Sequence, residues 1–166
     1  MGIRRFRQGW DGNIPKITHK ELVSRAFNYL KLTLTCNVCF KERVASTSEI
    51  PDAIGYHNNQ STLIECKASR ADFLSDKKKM FRERPYLGMG HNRYIMAPVG
   101  MIQPDELPEG WGLIDVYGKE SGHRTAIAEI ESKDFNDRNL QAELSYLVSA
   151  IRRIQISMAV FVEHQE

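Results

Sequence analysis

A chain of 166 residues has room for one ordinary domain around one hydrophobic core, and its 42% apolar and 27% charged residues exclude a disordered or fibrous chain. No apolar run approaches the ~20 residues of a membrane span, and the start Met1-Gly2-Ile3-Arg4-Arg5-Phe6-Arg7 lacks the apolar stretch of a secretory signal, so a soluble, cytoplasmic protein is expected. The net charge of +2 is uneven: residues 1–100 carry 17 Lys and Arg against 9 Asp and Glu, residues 101–166 carry 6 against 12, and an anionic partner is therefore expected at the first hundred.

In chain order, residues 1–17 hold Gly9, Gly12, Pro15 and scattered arginines and read as a basic, extended arm. Thr18-His19-Lys20-Glu21 has the form of a capping box, and Leu22, Val23, Ala26, Phe27 and Leu30 follow at helical spacing, which predicts a helix over 18–32. β-Branched and aromatic residues predict strands over 34–46, 50–57 and 61–67, the last two forming a hairpin that turns on Asn58-Asn59. Ser69 can cap a second helix running to about Arg84, with Phe73, Leu74, Met80 and Phe81 as its apolar side and Pro85 as its stop. Strands are expected over 93–99, 112–117 and 124–130, with a Pro/Gly-rich turn at 103–110. A long helix over 134–163 carries Leu140, Leu144, Leu147, Ile151, Ile154, Met158 and Phe161 at alternating four-three spacing. Packing this stripe on the domain's own sheet is the simpler expectation, and a homodimer through the same helix is the sharper one.

The chemistry gathers in the hairpin. Hydrolysis of a phosphodiester needs a cation to offset phosphoryl charge and an oriented water, and magnesium prefers hard oxygen ligands. In Glu65-Cys66-Lys67, strand alternation sends Glu65 and Lys67 to one face and Cys66 to the other. If Asn58-Asn59 makes the turn, His57 pairs with Gln60 and Asp52 falls opposite Glu65, within reach of a shared cation; a one-residue slip separates them.

Ile50-Pro51-Asp52 followed by Glu65-Cys66-Lys67 resembles the signature of the PD-(D/E)xK nuclease superfamily. The stretch from Glu65 through Ser69-Arg70-Ala71-Asp72-Phe73 to Asp76-Lys77-Lys78, with Arg93-Tyr94-Ile95-Met96-Ala97-Pro98, is similar to MmcB-type DNA-repair nucleases and related phage proteins, over about residues 18–130. The resemblance implies a restriction-endonuclease-like α/β (α+β) core, in which a mixed sheet carries the first helix on one face and the second on the other. It also implies a Mg2+-dependent deoxyribonuclease, with Mn2+ able to substitute. Asp52, Glu65 and the Cys66 carbonyl would hold the metal, and Lys67 would manage the attacking water. A catalytically inactive DNA-binding module with the same fold is the alternative.

Glu21 has two readings: a further catalytic carboxylate, as many members of that superfamily carry on the first helix, or a capping residue. Asp72 has the same two readings. Arg70, Lys77, Lys78 and Lys79 give the second helix a cationic face that could follow a phosphate backbone, and Lys78 matches the family's Asp-x-Lys element. Cys36 and Cys39 lack a partner motif for zinc and read as buried thiols; with Cys66 they make an odd count, which argues against a disulfide framework. His19, His57, His91, His123 and His164 show no ligand spacing.

Overall fold

A computed structural model describes residues 6–41, 49–118 and 126–162, with residues 154–162 described by backbone alone. Those parts of the expected strands and terminal helix that fall on 42–46, 124–125 and 163, as well as His123 and His164, lie outside the described residues. The described elements are α1 (His19–Asn28), continued by a π-helical turn (Tyr29–Thr33), β1 (Val38–Lys41), β2 (Ala53–His57), β3 (Gln60–Cys66), α2 (Arg70–Asp76), α3 (Met80–Glu83), β4 (Asn92–Pro98), β5 (Gly112–Val116), β6 (Ala126–Ile130) and α4 (Leu140–Val162). No described helix is long and apolar enough to cross a membrane.

The strands lie in one sheet in sequence order, β1-β2-β3-β4-β5-β6. β1, β2 and β3 pair antiparallel, β3, β4 and β5 pair parallel, and β6 returns antiparallel. The parallel step from β3 to β4 needs a crossover, and α2 and α3 provide it. The fold is thus α+β, a mixed sheet flanked by helices with a long C-terminal helix. Asn58, at φ 53°, supplies the left-handed residue of the β2–β3 turn, and His57 pairs with Gln60.

Strand alternation divides the core into two layers. Leu22, Val23 and Ala26 of α1 and Leu30 of the π-helical turn pack on Ala53, Ile64, Cys66, Met96 and Ile114. On the other face Phe73 of α2 and Tyr146 of α4 join Ile54, Leu63, Ile95 and Leu113. Thr18 caps α1 by accepting from the Glu21 amide (3.2 Å), and Ser69 caps α2 by accepting from the Asp72 amide (3.2 Å).

The second helix is not continuous. α2 stops at Asp76 and the backbone extends at Lys79 (φ −69°, ψ 137°) before α3. On an unbroken helix residues 76 and 82 would point roughly 120° apart. The break brings Arg82 Nε to 2.7 Å from Asp76 Oδ2, with both side chains buried.

The last helix departs from expectation at its start and in its facing. It begins at Leu140 because Asn139 caps it, its Oδ1 accepting from the Ala142 amide (2.9 Å). Its inward residues are Glu143, Tyr146 and Ala150, while Leu140, Leu144 and Ile151 are about half exposed, so these three residues of the apolar stripe do not pack on the sheet. Polar fastening decides this: Glu143 Oε1 accepts from Ser61 Oγ (2.7 Å), from the Gly90 amide (2.8 Å) and from Arg138 Nε (3.0 Å). Such an acceptor is costly to bury unsatisfied, and satisfying it fixes the helix rotation.

The arm is also more structural than its composition suggests. Arg7 is buried, donating from Nε to Asp115 Oδ2 (2.6 Å) and from Nη2 to the Ile102 carbonyl (2.5 Å). It clamps residue 7 to β5 and is not available to an anionic partner, and Arg4 and Arg5 of the expected arm lie outside the described residues.

Candidate active site

β2 and β3 converge at one end of the sheet on Asp52, Glu65 and Lys67. Asp52 lies one residue before the paired part of β2, and its Oδ2 accepts from the Cys66 amide (2.7 Å), which ties it to the end of β3. An extended residue sends its N–H and C=O to the same edge, so the Cys66 carbonyl also faces the Asp52 side. The Cys66 side chain points into the α1 layer and is fully buried. Glu65 and Lys67, 3% and 4% exposed, lie on the opposite face, under α2.

The Lys67 ammonium is 3.0 Å from Asp76 Oδ1, 3.6 Å from Glu65 Oε2 and 3.8 Å from Asp72 Oδ1. Glu65 Oε2 is also 3.7 Å from Lys79 Nζ and 3.9 Å from Arg82 Nη2. Burial pushes the Glu65 carboxyl up to about 7; Arg82 opposes the rise, and the neighbouring Asp52 charge adds to it. Burial acts the same way on Asp76, but Arg82, Lys79 and Lys67 outweigh it and hold that carboxyl at about 2. The site therefore contains one carboxyl poised near neutrality and one fixed as a counterion.

Of the residues expected from sequence, the fold brings Asp52, Glu65, Lys67 and Lys79 together, with Asp72 at the margin. The Asp72 amide donates to Ser69 Oγ (3.2 Å), and the Asp72 carboxylate lies 3.8 Å from the Lys67 ammonium. Glu21 turns its carboxylate to Arg25 (2.7 Å). Arg70 turns to Glu106 in a bidentate pair (2.7 and 2.6 Å), and Lys77 lies over the Phe73 ring (5.1 Å). Lys78 is exposed, and Lys79, one residue on, is the lysine that reaches the carboxylates.

Sequence reasoning gave no site role to Asp76 or His19, and it took Arg82 only as one more cation of the second helix's phosphate-facing surface. Asp76 stands four residues after Asp72 and so shares its helix face, a signal that was present. Arg82 reaches the site only through the break after α2. His19 Nε2 lies 3.4 Å from Asp52 Oδ1, placed there by the first turn of α1.

Outside this group, Cys36 is buried and Cys39 Sγ donates to the Cys36 carbonyl (3.7 Å). Burial lifts the Cys36 thiol to about 11. Among the described residues, no three His, Cys, Asp or Glu side chains are arranged to hold a metal ion. Magnesium does not need such a cage: it keeps several waters and takes one or two carboxylates. The hard oxygens of Asp52 and Glu65, with a main-chain carbonyl beside them, are a donor set of that kind.

The chain is similar in fold to the SPO1766 protein of unknown function from Silicibacter pomeroyi, with 21% identity and a TM-score of 0.56 over 92% of this chain and 98% of that one. No family model matches the sequence, and no curated protein matches it.

Proposed function

We propose that this chain is a metal-dependent nuclease that hydrolyses DNA phosphodiesters at Asp52, Glu65 and Lys67. The observation carrying this reading is the bond from the Cys66 amide to Asp52, which sets one carboxylate beside the strand that presents Glu65 and Lys67. Asp52, Glu65 and the Cys66 carbonyl would hold Mg2+ or Mn2+, which when bound supplies positive charge to the phosphoryl oxygens and acidifies water. Lys67 donates a hydrogen bond to the attacking water and orients it toward phosphorus; as the water oxygen bonds to phosphorus its proton passes to solvent water, and the bond from phosphorus to the deoxyribose oxygen breaks, that oxygen leaving with a proton from water. Asp76 positions Lys67 by holding its ammonium at 3.0 Å. Lys79 is the cation best placed to meet a phosphate of the strand, being half exposed at the edge of the site. The half-exposed stripe of Leu140, Leu144 and Ile151 is where a second copy would pack in a homodimer.

A second reading, a DNA-binding module without catalysis, draws support from the cations around Glu65. Lys67, Lys79 and Arg82 already neutralise its carboxylate, as a metal would. Incubating the purified chain with plasmid, linear and single-stranded DNA in Mg2+ or Mn2+ separates the two. Cleavage that stops with a chelator and with Asp52→Asn or Lys67→Ala supports the nuclease; cleavage that survives both substitutions overturns the site. DNA binding without cleavage in either metal favours the module.

A further inference from the structure

The proposed chemistry leaves unexplained a cavity of about 360 Å3 beside Glu65. Glu49, Glu65, Lys79 and Arg82 line its polar side, and Ile50, Met80 and Phe81 line the other; the Glu49 carboxylate is turned to the Met89 amide (2.6 Å). α3 contributes no fully buried apolar residue to the core, yet it carries Met80 and Phe81 side by side. Met80 is 49% exposed and Ile50 48%.

The orientation of α3 is fixed from behind. Arg82, with a side chain 4% exposed, is bonded to Asp76 through Nε, and its guanidinium lies 4.0 Å over the Trp111 ring. A buried, doubly held arginine thus anchors a short helix whose neighbouring residues face a cavity. Lys79, 48% exposed, places positive charge at the same wall. An apolar wall beside an accessible cation complements a group that is flat and apolar at one end and anionic at the other.

We propose that this cavity takes one unpaired nucleotide of a DNA strand, its base against Ile50, Met80 and Phe81 and its phosphate toward Lys79. This rests on the nuclease reading above and names the form of substrate it selects. The volume falls within the range of roughly 300–1,000 Å3 typical of pockets for small molecules, which suits a single nucleotide and not a duplex. A base in a duplex has both faces stacked and must leave the stack to enter. The site then prefers single strands, frayed ends or flaps.

Fluorescence anisotropy with the full chain, Ca2+ replacing Mg2+ to hold cleavage back, tests this on a labelled single-stranded oligonucleotide and the same sequence as a blunt duplex. The single strand is expected to bind about tenfold tighter, and Phe81→Ala to lose about tenfold on the single strand alone, the scale of one base–aromatic stack. Phe81→Trp should keep the preference, and Met80→Ala, at a half-exposed position, should weaken it without loss of folding. Equal affinity for the two forms, or single-strand affinity unchanged in Phe81→Ala and Met80→Ala, overturns the inference. Parallel digestion in Mn2+ separates the two ideas. Phe81-dependent binding without cleavage keeps the pocket and overturns the nuclease, whereas duplex cleavage indifferent to Phe81 keeps the nuclease and overturns the pocket.

Discussion

Lys67 and Asp76 are 3.0 Å apart with both side chains buried, so neither charge can be removed without exposing the other to a medium that solvates it poorly. Asp76→Asn keeps the volume and removes the charge, leaving Lys67 and Arg82 as under-compensated cations. The expected loss of stability is about 3 kcal/mol near neutral pH. The sign with pH follows from the depressed carboxyl: its contribution is complete above the ordinary value of 3.8 and is lost as pH falls through about 2. Urea unfolding of the two proteins across that range should show curves that converge in acid. A gap that stays constant would mean that Asp76 acts through packing and not through charge.

Arg7 and Asp115 form another buried pair, and here the shift runs the opposite way. Burial lifts the Asp115 carboxyl to about 6 even though Arg7 opposes it. The folded form therefore binds a proton more tightly than the unfolded chain, and stability falls as pH rises through the window from 3.8 to about 6. Arg7→Met removes the compensating charge and moves that window upward. The variant should lose about 3 kcal/mol in mildly alkaline buffer and clearly less in mildly acidic buffer, where Asp115 can take up a proton. Thermal melts at the two pH values check this, and a loss independent of pH would count against the charge pairing.

How much of this was legible in the sequence depends on whether local chemistry or tertiary fastening decides. The turn at Asn58-Asn59 was readable because asparagine tolerates a left-handed backbone, and it fixed the pairing of His57 with Gln60. The caps at Thr18 and Ser69 were readable for a similar reason, since an oxygen followed by a waiting amide is a local pattern. Asp76 and Arg82 were not, because their pairing requires a helix break that propensity does not announce. Glu21 had two readings in the sequence, and its carboxylate pairs with Arg25, while Lys78 was chosen by its match to a family element and the turn after Asp76 presents Lys79 instead. Four-three spacing shows that a helix has an apolar stripe and says nothing of which side meets the body when Glu143 must reach Ser61 and Gly90.

The turn itself carries a prediction. Asn58 holds φ 53°, a conformation that costs a β-branched residue roughly 1–2 kcal/mol. Asn58→Val should destabilise by about that amount, whereas Asn58→Gly should stay near the parent. Because the register of β2 on β3 sets Asp52 against the end of β3, any DNA cleavage should fall with Asn58→Val beyond what its fraction unfolded explains. Cleavage that tracks the folded fraction alone would show that the register survives a strained turn.

α4 provides the sharpest contrast between two residues of similar size on one helix. Tyr146 is fully buried and meets Phe40 edge to face at 5.6 Å, whereas Leu144 is 56% exposed. Removing a large buried ring costs about 3–5 kcal/mol, and changing an exposed residue usually costs within about 0.5 kcal/mol. Tyr146→Ala should therefore approach the whole stability of a small domain, while Leu144→Glu and Ile151→Glu should leave the unfolding of the monomer almost unchanged. If the sequence stripe instead faced the sheet, the order of these effects would reverse, which denaturation of Tyr146→Ala and Leu144→Glu decides directly. Sedimentation of the same variants reads the outer face separately. A dimer built on Leu140, Leu144 and Ile151 should fall to monomers with Leu144→Glu, and a parent chain that sediments as a monomer at high concentration would remove that assembly from consideration.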